Sequence, residues 1–485
     1  MNVYIKIQSG EGFAMGTTDD IVLMSHLMRR AGFGATRDEI ERRVAIGYEE
    51  TVDELLNPES KPPVDQYMLY RYLPMAEIAF SHVQGVTHWL YHMIHTKRPL
   101  QEKMALFYHQ IFATSDSKVN GPNHLLDQIE MFRTKGLGSY RDLLIGLAKD
   151  PAMIFWLDNN LNSKNSPNEN WGRELLELFS MGVGNYTEED VKECSRAFTG
   201  WTISPKIPTS PYGRFYWSYM YSPEEHDYGV KSFLGEQGKF NGEDVIDIIV
   251  QQKACHRFVA RHLYNFFVKD EPPVPLWPTE PPNDPDAIEQ LADTFVQSKY
   301  EMKEVLRVLF NSDFFKNALY EKVKSPVEVF VNTIKLSGDL QGDHPEIPLI
   351  ESVAKEPGYM GQSILDPPSV EGWHTGRGWI NSGTLGKRIN FVVDRFNDTN
   401  LPGISNMVVK ISEKGFSMSH EELVESCLDL LGPLVIDSET LSEIHEHARS
   451  GGEISWVTPE GYKDLSTRIG EILSLIVSTK EYQMG

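Results

Sequence analysis

Residues 166–181 read SPNENWGRELLELFSM. Ser166 suits a helix N-cap, Pro167 the first helical position and Glu169 the third, which is the spacing of a capping box. The pattern predicts a helix over 167–181. At about 100° per residue, Leu175, Leu178 and Phe179 fall within about 80° of Trp171, with Arg173, Glu177 and Ser180 opposite. Glu174 is the exception, because it lies at the edge of the apolar face, between Leu178 and Met181. A carboxylate there is either half-buried with a cationic partner or held for chemistry. Gly172 lies toward the apolar side and fits close helix packing.

Outward from this stretch the helical period recurs. Helices are predicted near 18–30, 37–46, 76–96, 99–113, 123–134, 139–148, 187–201, 243–268, 286–299, 301–311 and 325–338. Thr36 with Glu39 has capping-box spacing, as does Thr187 with Asp190, and Glu188 and Glu189 suit a helix N-terminus. Two stretches break the pattern. Residues 202–242 hold Pro205, Pro208, Pro211 and the aromatic run RFYWSYMY (214–221), which reads as an irregular excursion with one hairpin. Residues 356–384 are rich in Gly, Pro and Trp, and 271–286 is too proline-rich to be helical throughout. The expected fold class is mainly α. It comprises an N-terminal extension (1–17), a large multi-helix domain (18–400) with excursions at about 202–242 and 356–384, and a C-terminal helical appendix (401–485). Both excursions are expected to pack over the helix 167–181.

Of 485 residues, 40% are hydrophobic and 24% charged, an ordinary globular balance. The net charge of −23 disfavours sequence-independent binding to nucleic acid or to anionic membranes. No run approaches the length of a membrane span, and the N-terminal residues as written lack the apolar region of a secretory signal, so a cytoplasmic location is the default expectation. Cys194, Cys255 and Cys427 are scattered and read as buried, inert thiols. No Walker A, GxSxG, HExxH or GxGxxG signature occurs.

Three further segments carry candidate chemistry. In EKMALFYHQIFA (102–113), Glu102 and His109 share one helix face two turns apart, too far to bind one metal directly together. In HDYGVKSFLG (226–235), His226 adjoins Asp227 and Lys231 follows closely, an arrangement open to general-base, metal-ligand or purely structural roles. In GQSILDPPSVEGWHTGRGWINSGTLGKR (361–388), Trp373, His374 and Trp379 stand on a Gly-rich loop. Such aromatics either wall a site that stacks on sugars or plug the loop onto the core.

Taken in order, HLMRRAGFGAT (26–36), PLQEKMALFYHQIFATS (99–115), the long segment 156–201, HDYGVKSFLG, GQSILDPPSVEGW (361–373) and WINSGTLGKRINF (379–391) resemble the bacterial family catalogued as domain of unknown function 1800. The resemblance runs from about 20 to 395 and implies no catalytic residues. It implies export and a sulfatase-like partner protein for many relatives, whereas this chain shows no signal peptide as written. Relatives often carry a second histidine two positions beyond His109, where this chain has Ile111. A mechanism that needs both histidines would fail here.

Two functions are expected from these residues. The first is a hydrolase-like enzyme acting on a glycan- or ester-like substrate. Its catalytic residues are Glu174, His226, Asp227 and His109, its substrate-binding residues Arg173, Lys231, Trp373, His374 and Trp379, and a divalent metal is allowed. The second is a non-catalytic binding or scaffold protein that docks a partner through the Trp/Gly loop.

Overall fold

Helices form where apolar residues recur at helical spacing behind a capping side chain. In the computed structural model the structure describes residues 18–72, 81–206, 216–341 and 347–485. The expected extension 1–17, the start of the helix placed at 76–96, and Pro208, Pro211 and Arg214 lie outside these residues. The first part of the chain runs α1 (Thr18–Arg30), α2 (Arg37–Ile46), α3 (Tyr48–Leu56), α4 (Gln66–Tyr72), α5 (His82–His95), α6 (Pro99–Ile111), α7 (Asp116–Val119), α8 (Pro122–Lys135), α9 (Tyr140–Ala148), α10 (Pro151–Trp156), α11 (Asn170–Glu177) and α12 (Glu188–Ala197). Next come the antiparallel pairs β1 (Trp201–Lys206) with β2 (Tyr216–Tyr221) and β3 (Lys231–Phe233) with β4 (Glu236–Gly238). The chain continues as α13 (Gly242–Val250), α14 (Lys253–Phe267), α15 (Pro285–Gln297), α16 (Met302–Asn311), α17 (Asp313–Lys316), α18 (Pro326–Ser337), α19 (Ile347–Val353) and α20 (Glu356–Tyr359). It ends with α21 (Ser382–Phe396), α22 (Pro402–Ser412), β5 (Ser417–Met418), α23 (His420–Leu430), α24 (Ser438–Ser450), β6 (Ile454–Ser455) and α25 (Pro459–Ser478). The protein is mainly α, and its described strands form only short antiparallel pairs.

Several boundaries differ from expectation for local reasons. The α11 helix starts at Asn170 rather than 167, and no side chain caps it. Buried Asn162 is the cause. Its amide group donates to Ser195 O at 2.8 Å, and its oxygen accepts the Asn168 amide at 3.0 Å, so the chain before 170 is held as a loop. Ser166 pairs instead with Ser163. The helix also ends early, at Glu177, in a wide turn in which the amides of Met181 and Gly182 both reach Leu176 O. Ser180 therefore turns inward, is buried, and donates to Leu175 O at 2.5 Å. The Thr187–Asp190 capping box is present, whereas Thr36 accepts the Glu39 amide while the Glu39 side chain pairs with Arg43. The span 243–268 divides at Gln251–Gln252, and 202–242 holds two hairpins rather than one.

The core is a main apolar cluster running from Ile21 to Tyr482, beside a small separate one of Val323, Trp373 and Trp379. Two helices lie at its centre. Every residue of α6 from Pro99 to His109 is buried, and so is all of α18 apart from Lys335. The C-terminal helices share this core: α25 packs on α21, the Lys324 amide donates to Gln483 O at 2.9 Å, and Val323 bridges to Met484. The excursions pack mainly elsewhere than on α11. The β3 strand lies on α12, and the loop 361–373 lies on the end of α6. Among the described residues no helix is long and apolar enough to cross a membrane.

Candidate functional site

Because α6 is buried on all sides, its polar residues must find partners inside the protein. Glu102 accepts from Trp89 Nε1 at 3.0 Å and from Arg133 Nε at 2.5 Å. Lys103 pairs with Glu328 of α18. His109 accepts the Leu365 amide at Nε2 over 3.0 Å, and its ring stands edge-on to Trp89 and Trp373, with centroids 5.3 Å from each. Burial pushes the imidazole down to about 3, so it is neutral with its proton on Nδ1, a buried atom without a hydrogen-bond partner.

The loop 361–373 is pinned to this end of α6 at several points. Leu365 O accepts the Asp116 amide at 2.9 Å, and Asp366 accepts from Ser115 Oγ. Gly372, at φ 80°, lies so close to the Gln110 carbonyl that no side chain fits.

On one flank of the loop stands His82, at the first turn of α5. Its Nε2 is 3.4 Å from Ser363 Oγ, and its Nδ1 is 3.5 Å from Asp116 Oδ2. The second carboxylate oxygen of Asp116 is occupied by the Gly121 amide at 3.0 Å. Ser363, His82 and Asp116 are thus neighbours, although His82 Nδ1 makes no hydrogen bond to the Asp116 carboxylate. The His82 side chain is 31% exposed, so the group is reachable from solvent.

On the other flank is Glu174. Among the described residues its carboxylate makes no hydrogen bond or ion pair. Its pKa is pushed up to about 7, first by burial and then by the Glu177 and Glu371 carboxylates, against the pull of Arg173. Glu371 belongs to the same loop, so the end of the loop lies within electrostatic reach of Glu174.

The other expected site residues are placed differently. Arg173 is held by Glu188 at 2.7 and 2.9 Å and by Glu169 at 3.3 Å. Asp227 does not orient His226. It takes Arg196 at 2.7 Å and the Gly229 amide at 2.7 Å, and Arg196 holds its pKa below the usual carboxylate range. His226 is buried, its Nδ1 is 2.8 Å from Thr199 O, and burial lowers its pKa. Lys231 is buried and donates to Asp227 O at 2.5 Å. The segment 226–231 is therefore a latch on the end of α12, and no described contact joins it to Glu174 or His109. Trp373 and Trp379 are 7% and 4% exposed, packed with Val323, so both plug the loop onto the core and offer no open face. His374 is exposed.

His82, Ser363, Asp116 and Glu371 were not legible as a group. They are separated by up to 289 positions, and no short-range spacing marks them. Among the described residues no group of three or more His, Cys, Asp or Glu side chains could hold a metal. All three cysteines are free and buried, and burial pushes their thiol pKa values up.

The fold and this site define a mainly α protein whose central buried helix carries a loop-covered polar cluster. The chain belongs to the family described as Protein of unknown function (DUF1800), whose profile matches residues 26–484 and so takes in the C-terminal helices. Comparison with the curated proteins and with the solved structures finds no match.

Proposed function

We propose that the protein is a hydrolase acting on an ester, including an O-acyl group carried on a glycan, with its chemistry at the loop 361–373. One observation carries the reading: Ser363 Oγ lies 3.4 Å from His82 Nε2, and Asp116 Oδ2 lies 3.5 Å from His82 Nδ1. Ser363 Oγ attacks the ester carbonyl while His82 Nε2 takes its proton, and Asp116 steadies the imidazolium that forms. The same proton then passes from His82 to the departing alcohol, and water releases the acyl group from Ser363. Both separations are loose, as is common in an unliganded site, and a small rotation of His82 brings the three into line. The Ile364 amide, which has no described acceptor, is the natural donor to the developing oxyanion. Glu174, its pKa raised to about 7 chiefly by burial, keeps a share of its protons at neutral pH and is the acid nearest in character to what the leaving alcohol needs.

The test is labelling with a fluorophosphonate probe, read by peptide mass spectrometry, beside hydrolysis of short-chain nitrophenyl esters. An adduct on Ser363 that disappears in His82→Ala, together with loss of ester hydrolysis in Ser363→Ala, is the expected result. A folded wild-type protein that neither hydrolyses the esters nor takes the probe at Ser363 overturns the proposal.

A further inference from the structure

At the centre of the fold lies a second polar cluster that this chemistry does not use. Arg29, Arg30, Lys103, Lys322, Lys324 and Arg388 are each at most 9% exposed. They come from α1, α6, the segment just before α18, and α21, elements far apart in sequence. Two side-chain carboxylates accompany the six cations, and Gly485 packs against Arg30 and Lys324, its amide donating to Lys322 O at 2.7 Å. Glu328 pairs with Lys103 and lies 3.5 Å from Arg30 Nη1, and it also accepts the Ser325 amide at 2.7 Å. Asp270 takes Lys322 at 2.8 Å and the Val323 amide at 2.9 Å.

The remaining donors reach only neutral carbonyls. Arg30 Nε donates to Phe267 O at 3.0 Å, Lys324 to Tyr482 O at 2.7 Å, and Arg388 Nη1 to Lys324 O at 2.9 Å. A carbonyl satisfies a hydrogen bond but leaves the charge uncompensated, and an uncompensated buried charge is strongly unfavourable. Donors are also left over. Arg30 Nη1, Arg29 Nε and Nη2, Arg388 Nε and Nη2, and the Gln362 amide nitrogen are buried without a hydrogen-bond partner. The cationic forms are correspondingly strained: burial and the neighbouring arginines hold the Lys324 ammonium well below its usual range, and Lys103 is lowered to about 8 by burial. The region is rich in donors, poor in acceptors and closed to water.

The geometry points to an internal oxyanion site, in which one phosphate, sulfate or carboxylate group is held by Arg30, Arg388, Lys324 and the Gln362 amide. Such a group supplies what the cluster lacks, namely negative charge and several acceptor oxygens in one small volume. Glu328 then acts as the spacer that keeps Lys103 and Arg30 apart and aimed. Gln362, whose Oε1 accepts the Val327 amide at 3.1 Å, immediately precedes Ser363, so occupancy of the site bears on the loop that carries Ser363.

The experiment begins with protein purified and exhaustively desalted in sodium chloride, then denatured, with the released anions measured by ion chromatography and mass spectrometry. About one equivalent of phosphate, sulfate or an organic acid per chain is expected, and the identity of the ion separates an inorganic occupant from a carboxylate metabolite. In parallel, melting is compared in sodium phosphate, sodium sulfate and sodium chloride at equal ionic strength. A higher Tm in at least one oxyanion salt, lost in Arg388→Met, supports the site. If wild-type protein releases no stoichiometric oxyanion and melts alike in all three salts, the inference is overturned, and the lysines are relieved by deprotonation instead. Retention of the anion by a folded Arg388→Met variant overturns the assignment to these residues. The wild-type measurements decide the matter even if that variant fails to fold.

Discussion

The amide of Leu365 donates to Nε2 of His109 across 3.0 Å, joining the loop 361–373 to the central helix α6. Leu365 sits at φ 63°, the left-handed region that a branched side chain disfavours by roughly 1–2 kcal/mol. Its amide and carbonyl are both spoken for, the carbonyl by Asp116 at 2.9 Å, and these two bonds hold the strained turn that presents Ser363.

Replacing His109 by Ala removes a buried ring and orphans the Leu365 amide. The expected cost is about 3–5 kcal/mol, from the cavity and the lost acceptor together. His109→Gln keeps an acceptor and costs less. Urea unfolding measures both, and proteolytic nicking within 361–373 should be faster in the Ala variant alone.

Acid should destabilise the protein well before its carboxylates titrate. His26, His109 and His262 are lowered to about 3 and His88 to about 4, in each case chiefly by burial. The unfolded chain takes up these protons below about 6.5 while the folded chain refuses them. Their stabilising effect is therefore full above pH 6.5 and lost as pH falls toward 3–4, at roughly 1.4 kcal/mol per pH unit for each histidine. Unfolding free energies between pH 7.5 and 5 should show this slope, and His262→Phe should flatten it.

Glu174 works in the opposite direction. Its folded pKa, about 7, lies above its unfolded value, so its contribution is full below about 4.5 and lost as pH rises through 7. Glu174→Gln mimics the neutral acid, so it should stabilise the protein at pH 8 and change little at pH 5. If Glu174 also serves the reaction, the rate profile carries a limb near pH 7 that this variant removes.

Gly172 lets α11 rest on α12. A Cβ at this position would meet Ser195 Oγ and lie 3.1 Å from both Val191 O and the Ser195 nitrogen. Backbone cannot yield as a side chain can, so Gly172→Ala should cost about 1–3 kcal/mol despite its better helix propensity. Adding Ser195→Ala should recover part of that loss, read as a shift in the urea midpoint.

Much of the helical layout was legible because each element carries its own signals. The α1 and α2 boundaries follow directly from apolar spacing and from Thr36, and the edge position of Glu174 already marked an unusual carboxylate. The start of α11 was misread because a buried Asn162, visible only in three dimensions, outcompetes Ser166 for the preceding chain. Adjacency left open whether Asp227 meets His226; in the fold Arg196 on α12 claims Asp227 instead.

By itself the sequence determined the mainly α class, the acidic surface and the family resemblance, since these rest on local periodicity, composition and contiguous motifs. Which polar residues meet was decided only by tertiary structure. His82, Asp116 and Ser363 come from three segments, as do Arg30, Lys103 and Arg388. For Lys103 and Glu328 the reason is the burial of α6 and α18 on nearly every side, which forces their polar groups to find partners across the core.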